Sequence, residues 1–285
     1  HNLSWLVTVA RRAGQPVPEW LMAAGRRAVA FAGALMTPHT GKVPLYGAND
    51  GANILPLADH DFLDFRPTVQ AGYAVFFGTR ALERGPWDEF AEWLVAEFPT
   101  LPRAPMSESG LRLFREGGCL VWRTGESRLF FRCPVVFRHR PAQADSLHVD
   151  LEWRGQPIAH DGGTHSYAKG SFLHGALNQA ANHNTLTVDG GEPFEKITRF
   201  LYLPWPRGRT IGNERSEAFT ATHDAWERRG LRHVRTIAAT AADAFEVRDE
   251  VAGSGPHIAR VHWLLADVPY ELDLAGSHLR LKTLA

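Results

Sequence analysis

The sequence predicts an α+β protein in two parts, helices first and an antiparallel β-sandwich after. Three observations lead there. Apolar residues recur at helical spacing through the first hundred positions, they alternate with polar residues in short runs beyond Ser109, and turn dipeptides separate those runs. Helices followed by strands indicate separate domains or layers and not an alternating parallel sheet. The predicted boundaries are a helical part over 1–98, a linker rich in Pro, Ser and Glu over 99–109, and a strand part over 110–285.

In the helical part, Trp5, Leu6, Val9 and Ala10 form one apolar stripe, and Trp20, Leu21, Ala24, Ala28, Phe31 and Leu35 a second. Pro16 and Pro18 separate them, Pro18 standing where a helix start tolerates proline. Residues 38–62 are too rich in Gly, Asn, Asp and Pro for a regular element. Two further helical patterns follow, over 65–77 and 87–98. In the strand part the period-two runs are 111–114, 119–123, 128–133, 147–153, 156–159, 185–188, 217–222, 234–240, 244–251 and 258–265, with a last strand-like segment at 278–282. Many short strands with turn signals between them read as a sandwich.

Composition narrows the function. The 285 residues carry 31 Lys plus Arg against 31 Asp plus Glu, a balance that argues against a general nucleic-acid binder. No apolar run approaches the roughly 18 residues of a membrane span. The chain begins at His1 and stops just after a strand-like segment, so it reads as a piece of a longer protein in which a signal peptide is not observable. Cys119 and Cys133 flank a hairpin whose turn lies near Thr124–Ser127. A four-residue turn sets Cys119 opposite Arg132, so a disulfide requires an odd loop or a bulge. Two separate buried thiols are the reading that register favours.

Of the 14 histidines, six (His139, His148, His160, His165, His174 and His183) fall within residues 139–183, together with Asp145, Asp150 and Asp161. In the strand 147–153 the apolar residues hold the odd positions, which places His148, Asp150 and Glu152 together on the other face. That face is ordinary if solvated and a row of acid–base groups if it lines a cleft; strand chemistry alone favours the first. Gly162 and Gly163 allow a sharp turn that gathers Asp161, His165 and Tyr167. His183 lies just before the strand at 185–188, and strand ends of a sandwich meet at one rim, where Asp161 and His183 could hold a cation. From residue types alone, a hydrogen-bonded structural histidine is the default.

These segments together resemble the heparinase II/III family of polysaccharide lyases. The carrying motifs are PLYGANDGA (44–52), GCLVWRTGESRLFFRC (118–133), ADSLHVDLEWRGQPIAHDGGTHSY (144–167) and NHNTLTVDG (182–190). The resemblance implies the last helices of an α/α toroid followed by the start of a β-sandwich, both truncated. It implies an enzyme that cleaves a uronic-acid-containing polysaccharide, such as a glycosaminoglycan or alginate, by β-elimination. That chemistry needs a group that neutralises the uronate, a base for the C5 proton and an acid for the departing O4. Each proton-transfer partner contributes about 10²–10⁴-fold, and the neutralising group acts electrostatically.

Carried over by position, the resemblance implies metal ligands at Gln143, Asp161 and His183. The cofactor is then a structural divalent metal, with no organic group. Gln in place of His at the first ligand favours calcium over zinc. Tyr167 matches a cleft tyrosine. The family's catalytic His position, four residues before Asp145, holds Pro141 here, leaving His139, His148 and His165 as substitutes. The toroid tyrosine of relatives falls just before His1. Asn49, Arg138, Arg140 and Arg199 are the expected substrate contacts, with Arg207 and Arg209 nearby in sequence. In FLYLPW (200–205) the aromatics suit a core or edge strand better than a sugar platform. The partner is therefore an acidic polysaccharide, not nucleic acid, and the location periplasmic or secreted. The alternative reading is a catalytically altered relative that binds or hydrolyses acidic glycans, because of Pro141.

Overall fold

A computed structural model describes residues 1–45, 47, 57–106, 109–136, 143–163, 175–198, 201–213 and 215–282. The chain divides into two compact units, His1–Pro44 with Asn49–Arg112, and Leu45–Ala48 with Leu113–Ala285.

The first unit contains α1 (Asn2–Arg12), α2 (Glu19–Leu35), α3 (Arg66–Phe77) and α4 (Glu89–Leu94). Helix α3 starts with Pro67 in its first turn and stops at Gly78, whose φ of 66° is the left-handed conformation of a helix C-terminus. It is buried on most sides, from Val69 through Phe76, and so forms the centre of this unit. A Cβ on Gly25 of α2 would lie 2.0 Å from the Phe76 ring, and one on Gly72 of α3 would lie 2.5 Å from Val29. Glycine at both positions is what lets these two helices approach.

Three helical expectations need correction. Helix α1 buries Ser4, Val7 and Thr8, and it leaves Trp5, Leu6 and Val9 at 37%, 51% and 46% exposure. Packing chose the narrow face around Val7. Helix α2 buries Leu21 and Leu35 of its expected stripe, together with Gly25 and Val29, and leaves Trp20 exposed. The pattern at 87–98 is broken into a 3₁₀ turn at Pro86–Asp88, the short α4, and another 3₁₀ turn at Phe98–Thr100. The helix stops at Leu94, where Val95 turns to extended backbone, and Pro99 stands in the first turn of the 3₁₀ segment that follows.

The second unit is built of strands; the unit boundary falls inside the first of them. In chain order they are β1 (Gly110–Phe114), β2 (Cys119–Thr124), β3 (Ser127–Arg132), β4 (Val149–Trp153), β5 (Gln156–Ala159), β6 (Leu186–Val188), β7 (Glu195–Thr198), β8 (Leu201–Leu203), β9 (Gly208–Ile211), β10 (Ala218–His223), β11 (Leu231–Ala241), β12 (Ala244–Gly253), β13 (Ala259–Val261), β14 (Tyr270–Asp273) and β15 (His278–Leu281). One sheet has the order β1-β2-β3-β4-β5 and another β12-β11-β10-β9, with three two-stranded pairs beside them. The two larger sheets pack face to face. Phe131 of β3 meets Phe219 of β10 edge-on at 6.2 Å, and Trp122 of β2 meets Phe245 of β12 at 6.1 Å. Helices followed by packed antiparallel sheets is the predicted fold class.

The β2–β3 hairpin closes through Gly125 and Glu126, with Gly125 at φ 57°. Its register sets Cys119 opposite Arg132, and the two buried cysteines form no disulfide with each other. Burial pushes the Cys133 thiol up to about 12. Three strands escaped the pattern reading: β7, β9 and β14. They are four residues long and mostly exposed, so they carry little alternation.

The solvated-face reading of β4 is overturned. His148, Asp150 and Glu152 are 2%, 4% and 5% exposed. Arg128, opposite Glu152 in the register, donates to that carboxylate at 2.9 Å and lies 3.7 Å from Asp150. Charges can be buried on this face because the neighbouring strand supplies the counter-ion.

A second buried cation ties the sheets to the loops that follow. Arg235 of β11 is fully buried, and its Nε and Nη2 donate to Asp249 of β12, both at 2.8 Å. Its Nη1 donates to the carbonyls of Leu147 at 2.7 Å and Asn184 at 2.6 Å. Leu147 has φ 58°, a left-handed conformation worth about 1–3 kcal/mol of strain in a residue with a side chain. The arginine holds it there.

Two stability outcomes are expected. Arg235→Gln strands Asp249 and two carbonyls, so urea unfolding should show a loss of about 3–5 kcal/mol; a loss under about 1 kcal/mol would contradict the role given to the guanidinium. The second outcome concerns His223, which is 3% exposed and pushed down to about 3, by burial and by the neighbouring His233 and Arg235. A histidine with its folded pKa below the unfolded value of about 6.5 stabilises fully above that value, and the contribution disappears as pH falls towards the folded pKa. Melting temperature should therefore fall with pH below about 6.5. His223→Asn, which keeps an acceptor for the Ala225 N–H, should flatten that slope; an unchanged slope would remove His223 from the explanation.

A buried acid–histidine cluster as candidate functional site

Three segments of the second unit converge on one buried cluster. The approach to β4 brings Gln143, Asp145, Ser146 and His148; the end of β5 brings Asp161; the turn before β6 brings His183 and Asn184. All seven are 5% exposed or less. Asn184 stitches the three together with a fourth. Its Nδ2 donates to the carbonyls of Val149 at 2.8 Å and His160 at 3.3 Å, and its Oδ1 accepts from the Leu264 N–H at 2.5 Å. Thr185 Oγ1 donates to the Ser146 carbonyl. Arg132 pairs with Asp145.

Hydrogen bonds fix the tautomers. His183 Nδ1 lies 2.8 Å from the Gln179 carbonyl, so Nδ1 carries the proton and donates. Its Nε2 lies 3.2 Å from Asp161 Oδ2, an ion pair when the ring is protonated and two facing lone pairs when it is neutral. Two electron-rich atoms at that separation need a proton or a cation between them. Burial lowers the His183 pKa, but the Asp161 carboxylate outweighs it and the net direction is up. Asp161 moves the other way: burial raises it, and His183, His148 and the Gly163 N–H bring it below the usual carboxylate range.

His148 differs. Its Nδ1 accepts the Asn184 N–H at 3.0 Å, so Nε2–H is its donor, and that atom is buried without a hydrogen-bond partner among the described residues. Burial takes the ring down to about 3. The ring stands edge-on to His183 at 5.6 Å. Buried, neutral and committed at Nδ1, it is placed to support the Asp161–His183 pair and not to take a proton from a substrate. Asp145 is raised by burial against the pull of Arg132, and Asp150 is raised to about 7 for the same reason against Arg128.

Among the described residues, the buried polar atoms left without a hydrogen bond include Gln143 Oε1, Asp145 Oδ1, Ser146 Oγ, His148 Nε2 and His183 Nε2. Such atoms are rare in folded proteins, and among the described residues five of them share this one cluster. Among the described residues no three His, Cys, Asp or Glu side chains form a metal-ligating group. A metal here would therefore need an amide or water oxygen beside Asp161 and His183, and Gln143 offers the amide.

The structure thus brings Asp161 and His183 into contact, with His148 beside them. His139, His165, Tyr167, Asn49, Arg138, Arg140, Arg199 and Pro141 lie outside the described residues. Sequence reasoning missed Asn184, Arg132 and Arg235. A signal existed for Arg235: it alternates with Leu231, His233 and Ile237 on the core-facing side of its strand, where an unpaired charge cannot stand.

Comparison with known proteins places this arrangement. Residues 106–282 match the family model described as Heparinase II/III-like, C-terminal. Among solved structures, the chain resembles a mutant of the heparan sulfate lyase HepC from Pedobacter heparinus, with a TM-score of 0.67 and 18% identity over 94% of this chain and 39% of that one. It also resembles the heparinase III BT4657 gene product, with a TM-score of 0.62 and 15% identity over 90% of this chain and 36% of that one. At such identities the likeness is one of fold, and the chain spans less than two-fifths of the length of these structures. No curated protein sequence matches the chain. Because the family model takes in the whole cluster and more than half of the residues, the chain belongs to the heparinase II/III-like family.

Proposed function

We propose that this chain is part of a polysaccharide lyase that cleaves a uronic-acid-containing glycan by β-elimination. The observation that carries the reading is the family match, which runs continuously through the Asp161–His183 cluster. The heparan sulfate lyase and heparinase III names of its structural neighbours point the same way. On this reading the helices of the first unit are the end of an α/α toroid. On the same reading the reaction takes place outside the cell or in the periplasm. In the elimination, a base removes the C5 proton, the electron pair forms the C4–C5 double bond, and O4 departs with a proton. No water is consumed, and the new double bond is conjugated with the carboxylate.

Asp161, His183 and Gln143 would hold a divalent cation, which supplies fixed positive charge that locks the three segments together. Gln143 favours calcium, whose ligands are oxygens, whereas the His183 nitrogen suits a transition ion such as zinc or manganese, and of the two the nitrogen ligand decides for the transition ion. A second reading, a glycan binder or hydrolase with altered chemistry, rests on Pro141, which stands where relatives carry a catalytic histidine.

Two experiments test this. The natural protein acting on heparan sulfate, alginate or polygalacturonate should release products that absorb in the near ultraviolet. New reducing ends without that absorbance would establish hydrolysis instead. Pro141→His should raise turnover if the second reading is wrong about the remaining machinery. For the cation, the purified protein should contain about one divalent ion per chain. Chelation or His183→Ala should remove it and lower the melting temperature by about 5 °C or more. Metal-free protein with a melting curve indifferent to chelator would refute the site.

A further inference from the structure

Away from the buried cluster, the extended segment running into β9 shows a regular alternation. Leu203, Trp205, Arg207, Arg209 and Ile211 are exposed, whereas Tyr202 and Pro206 are buried. Trp205 is 44% exposed and flanked by Pro204 and Pro206, which restrict its backbone. Side chains two apart on a strand share a face and stand about 6.6–6.8 Å apart, so Arg207 and Arg209 form a row.

The backbone of this row is held from both sides. Arg209 pairs with Thr222 and Gly208 with His223 in β10. On the other side Arg207 bridges to Val136, and the Gly208 N–H donates to Val135 at 3.0 Å. The Asp224 carboxylate accepts the Arg207 N–H at 2.7 Å, so it fixes the main chain and leaves the guanidinium alone. Neither guanidinium has a carboxylate within ion-pair distance among the described residues. Rigid backbone with free, aligned cations and an adjacent indole is a preorganised surface for something anionic that also offers a flat apolar face.

We propose that Trp205, Arg207 and Arg209 form a surface strip that binds an acidic polysaccharide, the indole stacking on a sugar ring while the guanidinium groups take carboxylate or sulfate from neighbouring units. The choice of a glycan rests on the lyase reading, which supplies a polymer with ring faces and charges in regular repeat. Nucleic acid fits less well: the chain has no net positive charge, and two guanidinium groups neutralise few phosphates. The strip gives a polymer a holding point that does not depend on the buried cluster.

Affinity electrophoresis of the natural protein through gels containing heparan sulfate or polygalacturonate tests the strip without requiring turnover, with dextran as the neutral control and duplex DNA as the rival polyanion. Arg207→Gln/Arg209→Gln should weaken binding to one of the two acidic glycans by about tenfold or more, with the melting temperature unchanged. Trp205→Ala should weaken it about fivefold or more, and Trp205→Phe should restore most of the loss. Wild-type retardation in the double variant, indifference to Trp205→Ala, or an equal loss for dextran would overturn the strip. Tighter retardation by DNA than by either glycan would reassign it to nucleic acid. The lyase reading fails separately: a protein that binds through the strip but never produces the unsaturated chromophore keeps this proposal and loses that one.

Discussion

The second unit depends on one buried guanidinium. Arg235 projects from the middle of β11 into the space between the sheet and the loops, where a charge is stable only if every donor is matched. Asp249 takes two of its N–H groups in the paired geometry that arginine offers and lysine does not. The carbonyls of Leu147 and Asn184 take another two hydrogen bonds. Those carbonyls belong to the residues just before His148 and just after His183. A single side chain in one sheet therefore fixes the two loops whose histidines face each other. Asp249 is shared in turn with His233, whose Nε2 lies 2.7 Å away. Burial raises the Asp249 carboxyl, but these two cationic or donor partners hold it far below the usual carboxylate range.

The cluster's chemistry follows from that constraint. The loops cannot relax to satisfy their own polar groups, because Arg235, Asn184 and Thr185 already pin them. Asp161 and His183 are thus held at 3.2 Å, a separation that requires a proton or a cation between them. His148 contributes by its tautomer. Its Nδ1 is spent on a backbone N–H, so it can only donate into the cluster and cannot compete as a ligand. The same position that appears on a strand as an acid–base group becomes, once buried, a hydrogen-bond donor with no acid–base range.

Much of the layout was legible in residue pattern. The helix-to-strand order, most strands, the hairpin register at Cys119 and the meeting of Asp161 with His183 follow from periodicity, turn residues and strand ends. What was not legible has a common cause. The burial of Glu152 depends on Arg128, 24 residues away, and the strain at Leu147 depends on Arg235, 88 residues away. Alternation tells which residues share a face, but not what covers that face. The exposed tryptophans of α1 and α2 show the same gap in reverse: a stripe was visible, and the packing left its tryptophans outside. Short exposed strands such as β7 and β14 leave no pattern because neither face is selected for burial.

Charge neutrality also has a different meaning once the charges are placed. A balance of 31 against 31 suggests a surface without preference. In the structure Asp145, Asp150, Glu152 and Asp161 are buried and Asp249 is engaged by Arg235. The arginines that face them are consumed with them. What remains outside is decided by arrangement and not by sum, and Arg207 and Arg209 remain as an aligned pair on a rigid strand. A neutral chain can in this way present a local cationic surface, because paired charges in the interior cancel without screening the unpaired ones outside. The interior pairs and the outer strip are therefore parts of one distribution, in which local arrangement and not net charge decides what a surface offers.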